Sequence, residues 1–291
     1  MKTQVDGTMI AYEVVGDGEP WVLTPGGRFP KETPGLRELA LELAAHGKRV
    51  LIWDRPNCGE SDVCFRGPSE SDMQADHLAG LLRALDMAPA VIFGGSGGAR
   101  VSLLTAANHP DVAAGLGMVW VSGGVYGLML LATHYCGESI RVAWMDGMEA
   151  VAELPEWAEV IARNPRNRAA FLAQQPREFI ATLERWMLAY CPDPSTTVPG
   201  LPDAKCSGIT VPTLVFRSGE RDPHHTRATS ERLHELIPGS RLVEPPWPDD
   251  EWKQRGIAAR EGEGLFAHWP RLAPQLLDFF GEGEACEPRQ S

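Results

Sequence analysis

Gly94-Gly95-Ser96-Gly97-Gly98 sets one hydroxyl among four glycines. A serine hydroxyl becomes a useful nucleophile when it is held clear of the chain and a base can take its proton. The flanks of this segment supply the first condition. Val91-Ile92-Phe93 reads as a buried strand entering it, and Ala99-Arg100-Val101-Ser102-Leu103-Leu104 as a helix leaving it. A strand-to-helix corner this sharp tolerates only small residues around the serine. It lifts the hydroxyl off the sheet and brings backbone N–H groups and a helix N-terminus to where an oxyanion would form. Glycine-rich corners also bind phosphate, but no Lys follows to make a phosphate loop, and the G-x-G-x-x-G spacing with a distant acid is missing. The pattern points to nucleophilic chemistry at Ser96.

The surrounding elements must hold that corner. Thr8 to Val15, Trp21 to Thr24, Arg49 to Trp53, Ala90 to Phe93, Leu116 to Val121, Thr213 to Phe216 and Arg241 to Glu244 read as strands. Helices are expected over Thr33 to Ala45, Ser71 to Leu85, Ala99 to about Asn108, Thr229 to Leu236 and Ala273 to Phe280. Strands alternating with helices predict an α/β fold, a mostly parallel central sheet flanked by helices. The alternation breaks between Gly123 and Cys206, where Trp, Met, Tyr and helix formers dominate. This predicts a core in two parts, 1–122 and 207–291, interrupted by a helical cap over 123–206.

Bulk properties narrow the function. With 43% hydrophobic and 23% charged residues in 291, the chain has ample material for one large core. A net charge of −12 without any run of Lys or Arg argues against nucleic acid. It also disfavours a strongly anionic substrate unless Arg residues gather at the site. No stretch approaches 18 uninterrupted apolar residues, so no membrane span is expected. The six cysteines, Cys58, Cys64, Cys136, Cys191, Cys206 and Cys286, form no C-x-x-C pair and no zinc spacing with His. With no apolar leader at the N-terminus, the expectation is a cytoplasmic protein with mostly free thiols.

A second segment, Trp53-Asp54-Arg55-Pro56-Asn57-Cys58-Gly59-Glu60-Ser61-Asp62, completes a resemblance. Together with the Ser96 corner, it makes the chain resemble the α/β-hydrolase superfamily over nearly its whole length, in which a D-x-P-G-x-G-x-S segment follows the third strand. There it mainly shapes the loop beside the site, so Asp54 and Arg55 are expected to be structural. Where the family carries His-Gly after the strand corresponding to Trp21–Thr24, this chain has Pro25-Gly26-Gly27-Arg28. By position, the backbone N–H groups of Gly27 and Gly97 would hold the oxyanion, a role that does not depend on side chains. Ser218-Gly219-Glu220-Arg221-Asp222-Pro223 resembles the family's G-x-x-D-P turn and implies Asp222 as the acid.

The base is where the resemblance fails. The family's Gly-His after the last strands is replaced by Pro245-Pro246-Trp247-Pro248-Asp249-Asp250. Two histidines could serve. His225 lies three residues after the acid and is preferred for that reason. His268, in His268-Trp269-Pro270-Arg271-Leu272, resembles an H-F-P-x-L run and would require Trp247 to Leu265 to be an inserted excursion.

The aromatic cap, with Trp144 and Trp186 as candidate substrate contacts beside Trp157 and Tyr126, points to a small, largely apolar substrate. The reading is a serine hydrolase cleaving an ester, lactone or similar acyl bond, needing no metal or cofactor. Carbon–carbon bond hydrolysis of a ring-cleavage product and non-hydrolytic ligand binding are the alternatives. A homodimer is compatible with the sequence.

Overall fold

The computed structural model describes residues 1–281; Cys286 and the last ten positions of the expected second core part lie outside the described residues. Strands β1 (Lys2–Val5), β2 (Thr8–Val15), β3 (Glu19–Thr24), β4 (Lys48–Trp53), β5 (Ala90–Gly95), β6 (Ala113–Val119), β7 (Thr213–Phe216) and β8 (Arg241–Val243) form one sheet, in the order β1-β2-β4-β3-β5-β6-β7-β8. The β1–β2 and β2–β4 pairs are antiparallel, and from β4 to β8 every pair is parallel. Central strands that are buried on both faces read as continuous apolar runs. β5 does so, as Ala-Val-Ile-Phe-Gly-Gly, with all but Val91 buried.

Helices cover both faces. α1 (Leu36–Ala45) buries Leu36, Leu39, Ala40 and Leu43, one stripe at helical spacing, against one face. α2 (Glu70–Ala84) and α3 (Gly97–Asn108) cover the other. α2 starts where the Ser69 hydroxyl accepts the Asp72 N–H at 3.0 Å, an N-cap that satisfies one of the first-turn donors. Between β6 and β7 the chain builds α4 (Val125–Ala132), a π-turn at Thr133–Gly137, and α5 (Glu138–Met145), α6 (Met148–Ala152), α7 (Pro155–Arg163), α8 (Arg166–Leu172), α9 (Pro176–Leu188) and α10 (Asp203–Cys206). This segment has its own apolar interior, centred on Trp157, Phe171, Phe179, Leu183 and Trp186. α11 (Arg227–Leu236), α12 (Glu251–Arg260) and α13 (Ala273–Gly281) complete the described chain.

Two elements differ from expectation. β1 pairs as a short edge strand that its mixed sequence does not advertise. The stretch Trp247 to Leu265, for which no helix was expected, contains α12. Its apolar and charged residues are spread round the helix, so it lacks the periodic stripe that marks most helices.

Register sets where chemistry can occur. Thr24 pairs with Gly94, and Gly95 with Val119, so β3, β5 and β6 end side by side. Loops leaving the carboxyl ends of such strands build the ligand crevice of an open α/β sheet. β3 and α3 meet closely here: a Cβ on Gly98 would collide with the Thr24 carbonyl oxygen. Gly98→Ala should therefore force β3 and α3 apart and lower stability by about 1–3 kcal/mol. Urea denaturation checks this, and coincident midpoints for variant and parent would refute the packing argument.

Candidate active site

Ser96 sits between β5 and α3 with φ 54° and ψ −117°, a backbone region that non-glycine residues occupy only when the surroundings impose it. Here they do. The Ser96 N–H is shared between the carbonyls of Val119 and Trp120, at 3.1 Å each, which ties the corner to the end of β6. Its carbonyl accepts the N–H groups of Ala99 and Arg100, opening α3. The loop after β3 crosses directly over the serine. A Cβ on Gly26 would stand 2.7 Å from Ser96 Cβ and 3.3 Å from Oγ, so only glycine lets the loop approach this closely. The hydroxyl remains at the floor of a cavity, with Ser96 8% exposed.

The loop after β7 delivers the other two groups. Asp222 Oδ1 accepts the N–H groups of His224 (2.9 Å) and His225 (3.0 Å), folding a tight turn around the carboxylate. The turn aims the imidazole back at the acid. His225 Nδ1 lies 2.9 Å from Asp222 Oδ2, and Nε2 lies 2.9 Å from Ser96 Oγ. With Nδ1–H donating to the carboxylate, Nε2 is free to accept from the serine hydroxyl. All three residues are buried. Aromatic packing holds the ring: Trp252 meets it edge to face at 4.3 Å, and Trp120 stacks on it at 6.4 Å.

The loop bearing Gly27 is braced from below, where Arg55 Nη2 donates to the carbonyls of Gly26 (3.1 Å) and Gly27 (2.7 Å). The Gly27 N–H finds no acceptor among the described residues. Gly97 lies in the first turn of α3, whose N–H groups have no intrahelical acceptor. The two are neighbours, since a Cβ on Gly97 would stand 3.4 Å from Gly27 N.

A cavity of about 330 Å³ opens above Ser96. Phe29, Leu130, Leu131, Tyr135, Trp252, Leu265 and Phe266 make its walls apolar, and His134 and His224 join them. Burial holds both imidazoles below their ordinary pKa; the charge of Arg28 adds to this at His134, and His225 adds to it at His224. A neutral His224 also suits its hydrogen bond, in which Trp252 Nε1–H donates to Nδ1 at 3.0 Å.

Three expected site residues stand elsewhere. His268 Nδ1 pairs with Glu251 Oε1 at 2.6 Å, which fastens the chain before α13 to α12 instead of reaching Ser96. Trp186 is on the inward face of α9, stacked on Phe65 and donating to the Gly67 carbonyl, so it is part of the helical segment's interior. Trp144, on the outward face of α5, is 64% exposed and borders a separate surface depression with Gln175 and Pro176. Neither tryptophan lines the cavity over Ser96.

The residues that do line it were hard to see in the sequence. Tyr135 and His134 occupy the π-turn, where helical spacing slips. Trp252 belongs to α12, which lacks the periodic apolar stripe that would announce a helix. Arg28 is neither solvated nor free. Its guanidinium lies over the Trp157 ring at 4.1 Å and 3.4 Å from Glu70 Oε1. The carboxylates of Glu32, Asp54 and Glu60 converge near the β4 loop, but Lys31 Nζ stands among them, bonded to all three, and already supplies the positive charge a cation would bring. Among the described residues, no helix is long and apolar enough to cross a membrane.

Known proteins share this architecture. An N-acyl homoserine lactone degrading enzyme superposes with TM-score 0.59 at 24% identity, over 96% of this chain and 100% of its own. The enol-lactonase from Burkholderia xenovorans LB400 does so with TM-score 0.58 at 23% identity, over 97% and 100%. A meta-cleavage product hydrolase variant, CumD, gives 0.60 at 20% identity, over 97% and 98%. At these identities the likeness is one of fold. A protein of Mycobacterium phage D29 that carries the name non-heme haloperoxidase is 31% identical over 150 residues, 51% of this chain and about half, 52%, of that protein. The profile of the Alpha/beta hydrolase family matches residues 21–277. With that match taking in the sheet from β3 to β8, the serine corner and the Asp222 loop alike, the chain belongs to the alpha/beta hydrolase family.

Proposed function

We propose that this protein is a serine hydrolase of small, largely apolar esters or lactones. The observation that carries the reading is the unbroken run Asp222 Oδ2 – His225 Nδ1 and His225 Nε2 – Ser96 Oγ, two contacts of 2.9 Å each. Ser96 Oγ attacks the acyl carbon while His225 Nε2 takes its proton; Asp222 keeps the imidazole in the required tautomer and stabilises it once charged. The carbonyl π pair moves onto oxygen, and the N–H groups of Gly27 and Gly97 hold the resulting oxyanion. His225 then returns the proton to the leaving oxygen. Water repeats the sequence on the acyl-enzyme, releasing the acid and restoring Ser96.

The cavity walls support this substrate class. Phe29, Leu130, Leu131, Leu265 and Phe266 offer apolar surface, and a cavity of about 330 Å³ suits a small molecule. The helical segment 123–206 acts as a cap over it, because α4 and the π-turn supply Leu130, Leu131, His134 and Tyr135.

Fluorophosphonate labelling tests the nucleophile: the wild-type chain should label and Ser96→Ala should not. A folded wild type that resists the probe would leave a ligand-binding role in its place. For the base, His225→Ala should lose ~10⁴-fold or more in kcat on a p-nitrophenyl ester. His268→Ala should keep its kcat and lose only stability, through its contact with Glu251; the opposite ranking would exchange their roles. For the cavity, Leu131→Trp should raise KM for bulky acyl groups by ~10-fold or more, while Trp144→Ala should leave KM unchanged. Michaelis kinetics on an acyl-chain series would expose a wrong pocket if Trp144→Ala had the larger effect.

A further inference from the structure

Arg55 and Arg100 are charged side chains sealed inside the protein, at 2% and 3% exposure. Neither pairs with a carboxylate among the described residues. Arg100 makes three hydrogen bonds, all to neutral hydroxyls: Nε to Ser71 Oγ at 3.4 Å, Nη1 to Ser122 Oγ at 2.7 Å and Nη2 to the Tyr190 hydroxyl at 3.1 Å. Arg55 donates from Nη2 to the carbonyls of Gly26 and Gly27, and its Nε is buried without a partner. Glu70, the nearby buried carboxylate, is engaged by Arg28 at 3.4 Å and by Asn57 Nδ2 at 2.9 Å. Burying a cation without a counter-charge is strongly unfavourable. The hydroxyls and the Tyr190 ring face, at 5.2 Å, solvate the Arg100 cation without neutralising it, so the charge itself calls for another explanation.

Its direction supplies one. Around the vacant Cβ position of Gly97, the three nearest atoms outside the local backbone are all nitrogens: Gly27 N at 3.4 Å, Arg100 Nη2 at 3.5 Å and Arg55 Nη1 at 3.5 Å. Both guanidinium groups therefore come close to Gly97 on the side where the Gly27 nitrogen also stands. Charge in a buried, water-poor setting acts on its neighbours far more strongly than in solvent.

We infer that Arg100 and Arg55 place full positive charge behind the Gly27 and Gly97 N–H groups, where it stabilises the oxyanion formed when Ser96 Oγ adds to an acyl carbon. The inference rests on the reading of Ser96 as the nucleophile. The arginines exchange no proton: the Ser96 proton goes to His225 Nε2, the new Oγ–C bond forms, and the displaced π pair becomes the anion that the guanidinium charge faces. A neutral ester has no such anion before attack. The effect therefore belongs to the transition state and appears in kcat, not in KM.

Arg100→Gln and Arg100→Lys separate charge from hydrogen bonding. Gln keeps an amide donor at about the depth of Nε without charge; Lys keeps the charge. Active sites are counted by fluorophosphonate titration, so misfolded protein is excluded. Per titrated site, Gln should lose ~10-fold or more in kcat with KM within about twofold, while Lys stays within about threefold of wild type. Affinity for an arylboronic acid, which forms an anionic tetrahedral adduct on serine, should fall in Gln by the same factor as kcat. A merely structural arginine would not move that affinity. Full kcat per site in Gln, a loss in Lys as deep as in Gln, or failure of both variants to fold would each overturn the inference. A wild-type chain that does not label at all removes the nucleophile itself, and that failure is read before any arginine is changed.

Discussion

One backbone conformation governs the site. Ser96 holds φ 54° and ψ −117°, and it stays there because its N–H is shared by two carbonyls at the end of β6 while its own carbonyl starts α3. Such a turn stores strain that the rest of the core must offset. The offset comes from β5 and α3, both almost wholly buried, which grip the corner from either side. The same corner explains the surrounding glycines. Gly26 and Gly98 stand where the β3 loop and the β3 carbonyls come closest, and a methyl group at either place would push the loop off the serine. Gly27 is held beside Gly97 as a consequence.

Acid and imidazole share one turn, an economical arrangement. Asp222 uses one oxygen to fold the backbone of His224 and His225 and the other to orient the His225 ring. The carboxylate thus builds the loop that presents its own partner. The loop after β8, where the family resemblance leads one to expect an imidazole, instead leads to α12. That helix brings Trp252 against the His225 ring and lets its indole N–H occupy His224. A tryptophan in this position excludes water from the imidazole and narrows its rotation, both of which favour a fixed Nε2 aimed at Ser96.

The charge distribution has two layers. The cavity wall is apolar, with imidazoles held neutral by burial, whereas three guanidinium groups, those of Arg28, Arg55 and Arg100, lie just outside it. Arg28 is balanced by Glu70 and by the faces of Trp157 and Tyr135. Arg55 and Arg100 meet no carboxylate among the described residues, and Arg100 has only the face of Tyr190, at 5.2 Å. A protein of net charge −12 that concentrates buried cations at one place gives that place a local field opposite to its overall charge.

The corner, the strand–helix alternation and the acidic turn were legible in the sequence because each is written in neighbouring residues: glycines round a serine, apolar runs of strand length, an Asp before Pro. The fold class follows from the same local signals. Closeness to Asp222 in the sequence favoured His225 over His268, but which imidazole stands beside Ser96 was not legible. Both are loop histidines, and only the sheet order β5-β6-β7 brings the turn after β7 to the serine, 129 residues earlier in the chain. The cavity wall was hidden for a related reason. Local sequence does not tell which side chains of the helical segment's interior also face the cavity: Tyr135 and Trp186 share that interior, but only Tyr135 reaches the cavity wall. That assignment depends on how α4, the π-turn and α9 rotate against one another, a packing outcome that no run of adjacent residues encodes.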